Sequence, residues 1–146
     1  KENVRKIKKA MKIKNEKPPI YDQIVQAGMN PSLNAIYTYG DSIYVPSGRT
    51  LPDDIIKHEE THCVQQGSDP DAWWSRYLDD PYFRIQQETE AYAVQYDFIC
   101  ETTKDRNWRD KTLRRMAGAL SGSMYGNVIG SQSAYFMIKN KAKTKR

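Results

Sequence analysis

The apolar residues of this chain recur at two different spacings along the sequence. In the stretch NAIYTYGDSIYVPSG, two runs rich in β-branched and aromatic residues, 35–39 and 42–45, flank the dipeptide Gly40–Asp41. This pattern predicts a β-hairpin with a two-residue turn. On either side of the hairpin, apolar residues recur every three or four positions, which is typical of helices. Helices, one hairpin and further helices together predict a helix-rich α+β domain.

The predicted helices are bounded by proline and glycine, the residues that most often begin and end helices. Thr50 is the predicted N-cap of the helix after the hairpin, because Asp53 follows at the spacing of a capping box, and Gly67 is expected to end that helix. The expected helical regions are 19–28, 51–66, 72–78, 81–103, 107–126 and 131–143.

The two ends of the chain are strongly basic, and the part between them is acidic. Residues 1–17 contain eight Lys or Arg against two Glu, and residues 139–146 contain five Lys or Arg and no acid. We therefore predict a basic N-terminal segment (1–17), one domain (18–138) and a basic C-terminal tail (139–146). The ends are candidates to contact nucleic acid or an acidic protein partner.

Within the N-terminal segment, Val4, Ile7 and Met11 follow a helical spacing. They predict a very basic helix that Pro18 and Pro19 would end.

Length and composition exclude several classes of protein. A chain of 146 residues fits one domain. No apolar run reaches the length of about 18 residues that suggests a membrane span, and no secretory leader is visible, so we expect a cytoplasmic or virion-associated protein. The two cysteines, Cys63 and Cys100, are too few for a disulfide framework and are expected to be buried free thiols.

The candidate chemistry lies in the segment HEETH, residues 58–62. Residues four apart share one face of a helix, so His58 and His62 can bind the same metal ion. Glu59 lies beside them, where it can act as a general base without being a ligand. Two imidazoles and a glutamate at this spacing are typical of a catalytic zinc site.

A catalytic zinc ion usually takes a third protein ligand. The chain has no histidine besides these two, and Cys63 points about 100° away from His62, so we expect a carboxylate. Glu88 is favoured because its helical neighbours border the apolar face of the long helix, where an unpaired carboxylate is costly. The alternatives are Glu90, in a more polar setting, and Asp69 or Asp71 just past the motif.

HEETH followed 26 residues after its second histidine by ETEAY resembles the zincin metallopeptidases of the gluzincin kind. The second motif is similar to the E-x-x-A-D/Y helix of that family, with Tyr92 where the Asp can stand. The region 36–100 also resembles small metallopeptidase-like proteins encoded in bacterial and phage genomes. The resemblance implies a zincin-like fold, in which a small sheet precedes the HExxH helix and a second helix carries the metal-binding Glu88.

The resemblance also implies that strand 42–45 is an edge strand along which an extended polypeptide substrate lies. It further implies a residue that stabilises the oxyanion. Our candidate is Tyr125, because the glycines on either side of it let the backbone come close to a ligand.

The sequence thus predicts a zinc-dependent metalloendopeptidase that hydrolyses peptide bonds with a zinc-activated water. Zn²⁺ would be held by His58, His62 and Glu88, while Glu59 and Tyr125 would be catalytic. The alternative is a zinc-containing structural or adaptor protein, for example a phage virion component, whose basic ends contact nucleic acid or partner subunits.

Overall fold

A computed structural model describes residues 11–29 and 31–144 of the chain. It contains three short strands and several helices, which confirms the predicted helix-rich α+β class. The strands are β1 (Lys12–Lys14), β2 (Tyr37–Tyr39) and β3 (Ser42–Tyr44).

The sheet has the strand order β1, β3, β2, so β3 lies in the centre. The hairpin β2–β3 forms as predicted, with Gly40 at φ 63° in the turn. β1 pairs with β3 in parallel and fills its other side. The prediction that residues 42–45 form an edge strand is therefore wrong.

Strand β1 also corrects the prediction for the N-terminal segment. Lys12–Lys14 is a strand rather than the end of a helix, and all three of its residues are exposed. Its backbone continues the pairing at Val45, whose N–H donates to the carbonyl of Lys14 over 2.8 Å. Val4 and Ile7, which carried most of the helix prediction, lie outside the described residues.

The helices lie close to their predicted positions. They are α1 (Tyr21–Gln26), α2 (Asp53–Gln66), α3 (Pro70–Asp79), α4 (Pro81–Thr102), α5 (Arg106–Leu120) and α6 (Ser131–Lys141), with a short 3₁₀ turn at Ser123–Tyr125.

Aspartate side chains start three of these helices. Asp69, Asp80 and Asp105 each accept a hydrogen bond from a backbone N–H of the first turn of α3, α4 and α5 respectively. The predicted capping role of Thr50 in α2 is wrong, because Pro52 occupies the N-cap position and no side chain caps this end. The fixed φ of proline, here −67°, sets the direction in which α2 starts.

Helix α4 lies in the middle of the fold and contacts α2, α3, α5 and α6. Its apolar face forms much of the main core, and the site described below lies where α2 and α3 cross it. Ile43 of β3 and Val45, which directly follows that strand, form a smaller core with Leu51.

The C-terminal helix crosses the predicted boundary at residue 138. Helix α6 continues to Lys141, and Ala142 after it is buried. The carboxylate of Asp97 in α4 then accepts hydrogen bonds from the backbone N–H groups of Lys143 and Thr144, over 2.9 and 2.8 Å. The first part of the basic tail is therefore held against α4.

In the described part of the chain, no helix has both the length and the apolar character needed to cross a membrane.

Candidate metal centre

Three predicted ligands converge between α2 and α4. His58 and His62 lie one turn apart on α2, and Glu88 faces them from α4. Glu88 Oε1 lies 3.1 Å from His58 Nε2 and 3.2 Å from His62 Nε2, and the three candidate ligand atoms all lie within 4.8 Å of one another. All three residues are buried, with at most 5% of their surface exposed.

The other ring nitrogen of His58 is held by a glutamine of α4. His58 Nδ1 lies 3.0 Å from Gln95 Oε1, while Gln95 Nε2 donates to Asp54 Oδ2 over 2.8 Å. Because a carboxylate only accepts hydrogen bonds, Asp54 fixes which end of the amide faces the histidine. His58 Nδ1 must therefore carry a proton and be the donor in this contact. Nε2 then has a lone pair if the imidazole is neutral and a proton if it is charged.

His62 is held in the same way by another glutamine. His62 Nδ1 lies 2.8 Å from Gln65 Oε1, and Gln65 Nε2 donates to the carbonyl of Gln87 and to Glu90 Oε1. Both of those partners are acceptors, so this amide is also fixed and His62 Nδ1 is a donor. The two imidazoles therefore present Nε2 to the same point.

Two Nε2 atoms and a carboxylate oxygen at one point require a positive charge between them. Either protons bound to the imidazoles or a metal ion can supply it. The donor set, two imidazoles and one carboxylate, is one that zinc takes in catalytic sites. Ligand atoms bonded to zinc at about 2.0–2.1 Å in a tetrahedron stand about 3.3 Å apart, close to the two separations found around Glu88 Oε1. With all three ligand atoms within 4.8 Å of one another, the residues could hold a metal ion, and the donor set suits zinc.

The second oxygen of Glu88 is bound inside the protein as well. Tyr77 of α3 donates its hydroxyl to Glu88 Oε2 over 2.6 Å. Burial would raise the pKa of Glu88, but the charges and hydrogen bonds of His62 and His58 outweigh it and hold that pKa far below its usual range. For His62, burial acts to lower the pKa, but the Glu88 carboxylate outweighs it and raises the pKa to about 9.

Glu59 lies at the edge of this cluster and is bound to the sheet. Thr38 of β2 donates its hydroxyl to Glu59 Oε1 over 2.8 Å, and Glu59 Oε2 lies 3.9 Å from His58 Nε2. Burial raises the pKa of Glu59 above its ordinary value. A cavity of about 50 Å³ adjoins Glu59 and the three ligands, and one water needs roughly 10–15 Å³ of such space.

Tyr125, the predicted oxyanion residue, belongs to a pair of tyrosines. Its hydroxyl lies 3.0 Å from that of Tyr92, and the ring of Tyr92 packs against His58 with centroids 4.4 Å apart. Tyr125 lines the cavity together with Glu59. Burial raises the pKa of Tyr125 well above its ordinary value, so its hydroxyl stays protonated and can donate a hydrogen bond.

Arg84 holds the backbone of the segments that carry Tyr77 and Tyr125. Its buried guanidinium donates to the carbonyls of Tyr77, Leu78 and Tyr125. Gly126 follows Tyr125 at φ 92°, and a Cβ placed there would lie 2.9 Å from Arg84 Nη1. Two independent reasons, backbone conformation and space, thus require glycine at this position.

The remaining candidates lie elsewhere. Glu90 is bound to Gln65 rather than to the cluster, Asp69 caps α3, and Asp71 accepts a hydrogen bond from Tyr39. Both cysteines are free; Cys100 is buried as expected, whereas Cys63 is only half-buried.

Sequence reasoning missed the residues that orient the cluster: Thr38, Gln65, Tyr77 and Gln95. Gln95 lies one turn after Tyr92, on the same face of α4, and this spacing is the one sequence signal that could have suggested it.

Comparison of the chain with protein-family models, with curated proteins and with solved structures finds no match.

Proposed function

We propose that the protein is a zinc-dependent peptidase of zincin-like, gluzincin type, with His58, His62 and Glu88 as the zinc ligands. The observation that carries this proposal is the fixed orientation of both imidazoles by Gln95 and Gln65. It leaves two Nε2 atoms and a carboxylate oxygen around one point, with a further carboxylate, Glu59, beside the adjoining cavity.

A bound Zn²⁺ would polarise a peptide carbonyl and lower the pKa of water in the cavity toward neutrality. Glu59 would accept a proton as the water oxygen attacks the carbonyl carbon, and would return it to the amine nitrogen as the C–N bond breaks. Its raised pKa supports this role. Thr38 holds the Glu59 carboxylate in place from the sheet. Tyr125 donates a hydrogen bond to the developing oxyanion, with Tyr92 as its neighbour.

The polypeptide substrate would lie in a cleft that opens from this cavity. The cleft has a volume of about 480 Å³ and is bordered by residues 32–36, by the start of α2 and by α5. It reaches His58, Glu59 and Tyr125 at its inner end. Binding by strand addition to β3 is ruled out, since β3 pairs on both sides. We therefore propose that side chains of the cleft hold an extended peptide.

The proposal is tested by separating metal binding from turnover. The purified wild-type protein is expected to contain one zinc ion per chain and to cleave peptides from a mixed library. Glu59→Gln should keep the zinc and lose cleavage, while His58→Ala should lose both. Stoichiometric zinc in His58→Ala, or full cleavage by Glu59→Gln, would contradict the assignment.

A second candidate, a zinc-containing structural or adaptor protein such as a virion component, is favoured by one observation. Glu59 and Glu88 are only 6% and 3% exposed, which leaves a substrate little access to the centre, whereas a zinc ion that only stabilises the fold needs none. The basic ends would then bind nucleic acid. Zinc that stabilises the fold, no cleavage of any library peptide, and DNA binding that weakens steeply with salt would select this candidate.

A further inference from the structure

The outer part of the cleft, beyond His58 and Glu59, is lined by apolar side chains and two arginines. Ile36, Ile55, Ile99, Trp108 and Met116 form apolar walls, and Trp108 remains 43% exposed. Arg49 follows strand β3, and Arg115 lies on α5; both line the cleft and both are exposed. The walls thus suit a bulky apolar side chain, and the arginines add positive charge.

Residues 18–103 contain four basic and fourteen acidic residues. Among the four basic residues, Arg49 differs from the other three. Its Nη2 donates to the carbonyl of Asn34 over 3.3 Å, and it forms no ion pair with any described carboxylate. The other three cations of this region are each held by the protein: Lys57 pairs with Glu60, Arg76 pairs with Asp80, and Arg84 is buried on three carbonyls.

Arg115 differs in the same way from its neighbour in sequence. Arg114 Nε lies 2.8 Å from Asp110 Oδ2 and is neutralised there. Arg115 lies over the ring of Trp108, 5.7 Å from its centroid, and forms no ion pair within the described part of the chain. The guanidinium therefore lies beside an aromatic wall of the cleft, and its N–H donors have no carboxylate partner among the described residues.

Two carboxylates also line the cleft, but neither neutralises these arginines. Asp54 is bound to Gln95, and Glu59 is bound to Thr38 at the inner end. Arginine presents several N–H donors in a planar fork that matches a carboxylate. The cleft therefore has unpaired donors of this kind beside its apolar walls.

From this arrangement we infer that the cleft binds peptides carrying a carboxylate close to a bulky apolar residue, with Arg49 and Arg115 as the residues that recognise the carboxylate. The inference rests on the proposed function, since it names the substrates of the same site. An acidic side chain and a free C-terminus both supply this group, and the experiment distinguishes them.

The experiment measures peptide binding to zinc-loaded Glu59→Gln protein by calorimetry at low and physiological salt. The probes are acetyl-Ala-Ala-Phe-Leu-Glu-amide, its Gln counterpart with the same amide, and the Gln peptide with a free C-terminal carboxylate. At least one carboxylate peptide should bind about three- to tenfold more tightly than the neutral peptide. The preference should weaken with salt, because the arginines are exposed.

Arg49→Gln and Arg115→Gln, each added to Glu59→Gln, should reduce this preference. Arg114→Gln is the matched control and should leave it unchanged, since Arg114 is paired outside the cleft. Equal affinity for all three peptides, absence of binding, or an equal effect of Arg114→Gln would overturn the inference. Zinc content and wild-type cleavage, recorded on the same preparations, report separately on the proposed function.

Discussion

Charged side chains are buried at the inner end of the site, whereas the two arginines of the outer cleft are exposed. At the inner end, Glu59 and Glu88 are almost fully buried, and each has one carboxylate oxygen that accepts a hydrogen bond from a protein hydroxyl, of Thr38 and Tyr77 respectively. In the outer cleft, Arg49 and Arg115 are exposed and form no ion pair with the described residues.

This difference suggests that the inner end fixes the geometry of the metal centre, whereas the outer cleft selects the peptide. A buried group that is held by two or more partners keeps one position, as metal binding requires. An exposed cation with unused hydrogen-bond donors remains hydrated, so it costs little desolvation free energy to keep it without a protein partner until a ligand binds. If this is right, changes at the inner end should affect zinc, and changes in the cleft should affect peptide choice.

The largest effect is expected from Glu88→Gln, which removes the anionic member of the proposed ligand set. We predict the loss of stoichiometric zinc after dialysis, measured by inductively coupled plasma mass spectrometry. Glu90→Gln is the control two residues along, and it should keep its zinc because Glu90 only supports Gln65. Zinc lost from Glu90→Gln and retained in Glu88→Gln would reverse the ligand assignment.

A smaller effect is expected from Gln95→Ala, which leaves the ligands but frees the His58 ring. Removing a group that orients a metal ligand typically costs about 10–100-fold in affinity, and we predict a loss in this range in a competition titration with a zinc chelator. Val94→Ala, at an exposed position beside it, is the control. An unchanged zinc affinity in Gln95→Ala would show that the orientation of His58 does not depend on Gln95.

Gly126→Ala tests the contact with Arg84, whose guanidinium donates to the carbonyls of both Tyr77 and Tyr125. A residue with Cβ would meet Arg84 Nη1 and would also adopt a positive φ, so we expect a loss of about 1–3 kcal/mol in the free energy of unfolding.

Gly118→Ala is the matched control, because a Cβ at this position in α5 meets open space. Alanine is the better helix former by about 1 kcal/mol, so this variant should unfold at higher urea concentration than the wild type. Equal urea midpoints for Gly126→Ala and the wild type would show that the contact with Arg84 does not require glycine at position 126.

The smallest effect is a pH dependence that differs in sign with and without zinc. The raised pKa of His62 stabilises the metal-free fold fully below the unfolded pKa of 6.5, and this stability is lost as the pH rises through about 9. The lowered pKa of Glu88 stabilises the fold above its unfolded value of 4.5, and this contribution is lost as the pH falls further. In the metal-free protein, both contributions should therefore be fully present only between these two unfolded values.

Zinc binding instead requires imidazoles without a proton on Nε2, so the stabilisation by added zinc should grow as the pH rises from 6 to 8. Urea unfolding with and without zinc at both pH values measures the two trends. A zinc increment that falls over this range would contradict the ligand set.

Most of the helices and the hairpin could be predicted because their signals are local. Proline at positions 70 and 81 and the Gly40–Asp41 turn act through neighbouring residues. Strand β1 could not be predicted in this way. Its three exposed residues are held as a strand by pairing with β3, a contact between segments 30 residues apart in sequence.

The same distinction applies to the site. His58, Glu59 and His62 are recognisable from spacing on one helix, and Glu88 from its place beside an apolar stripe. Gln65, Gln95, Tyr77 and Thr38 gain their roles from partners on other elements. Gln65 follows His62 by three residues and Gln95 follows Tyr92 by three, so spacing places them on the relevant helix faces. Glutamine and threonine are common on polar surfaces, however, and spacing alone does not indicate which of them makes an orienting contact.

X-ray absorption at the zinc edge tests the central claim most directly. In the zinc-loaded wild-type protein, it should show about four nitrogen and oxygen ligands at about 2.0–2.1 Å, including two imidazoles, and His58→Ala should lack this signal. A sulfur ligand at about 2.3 Å, which would point to Cys63 or Cys100, or a protein that binds no zinc, would contradict the proposed centre.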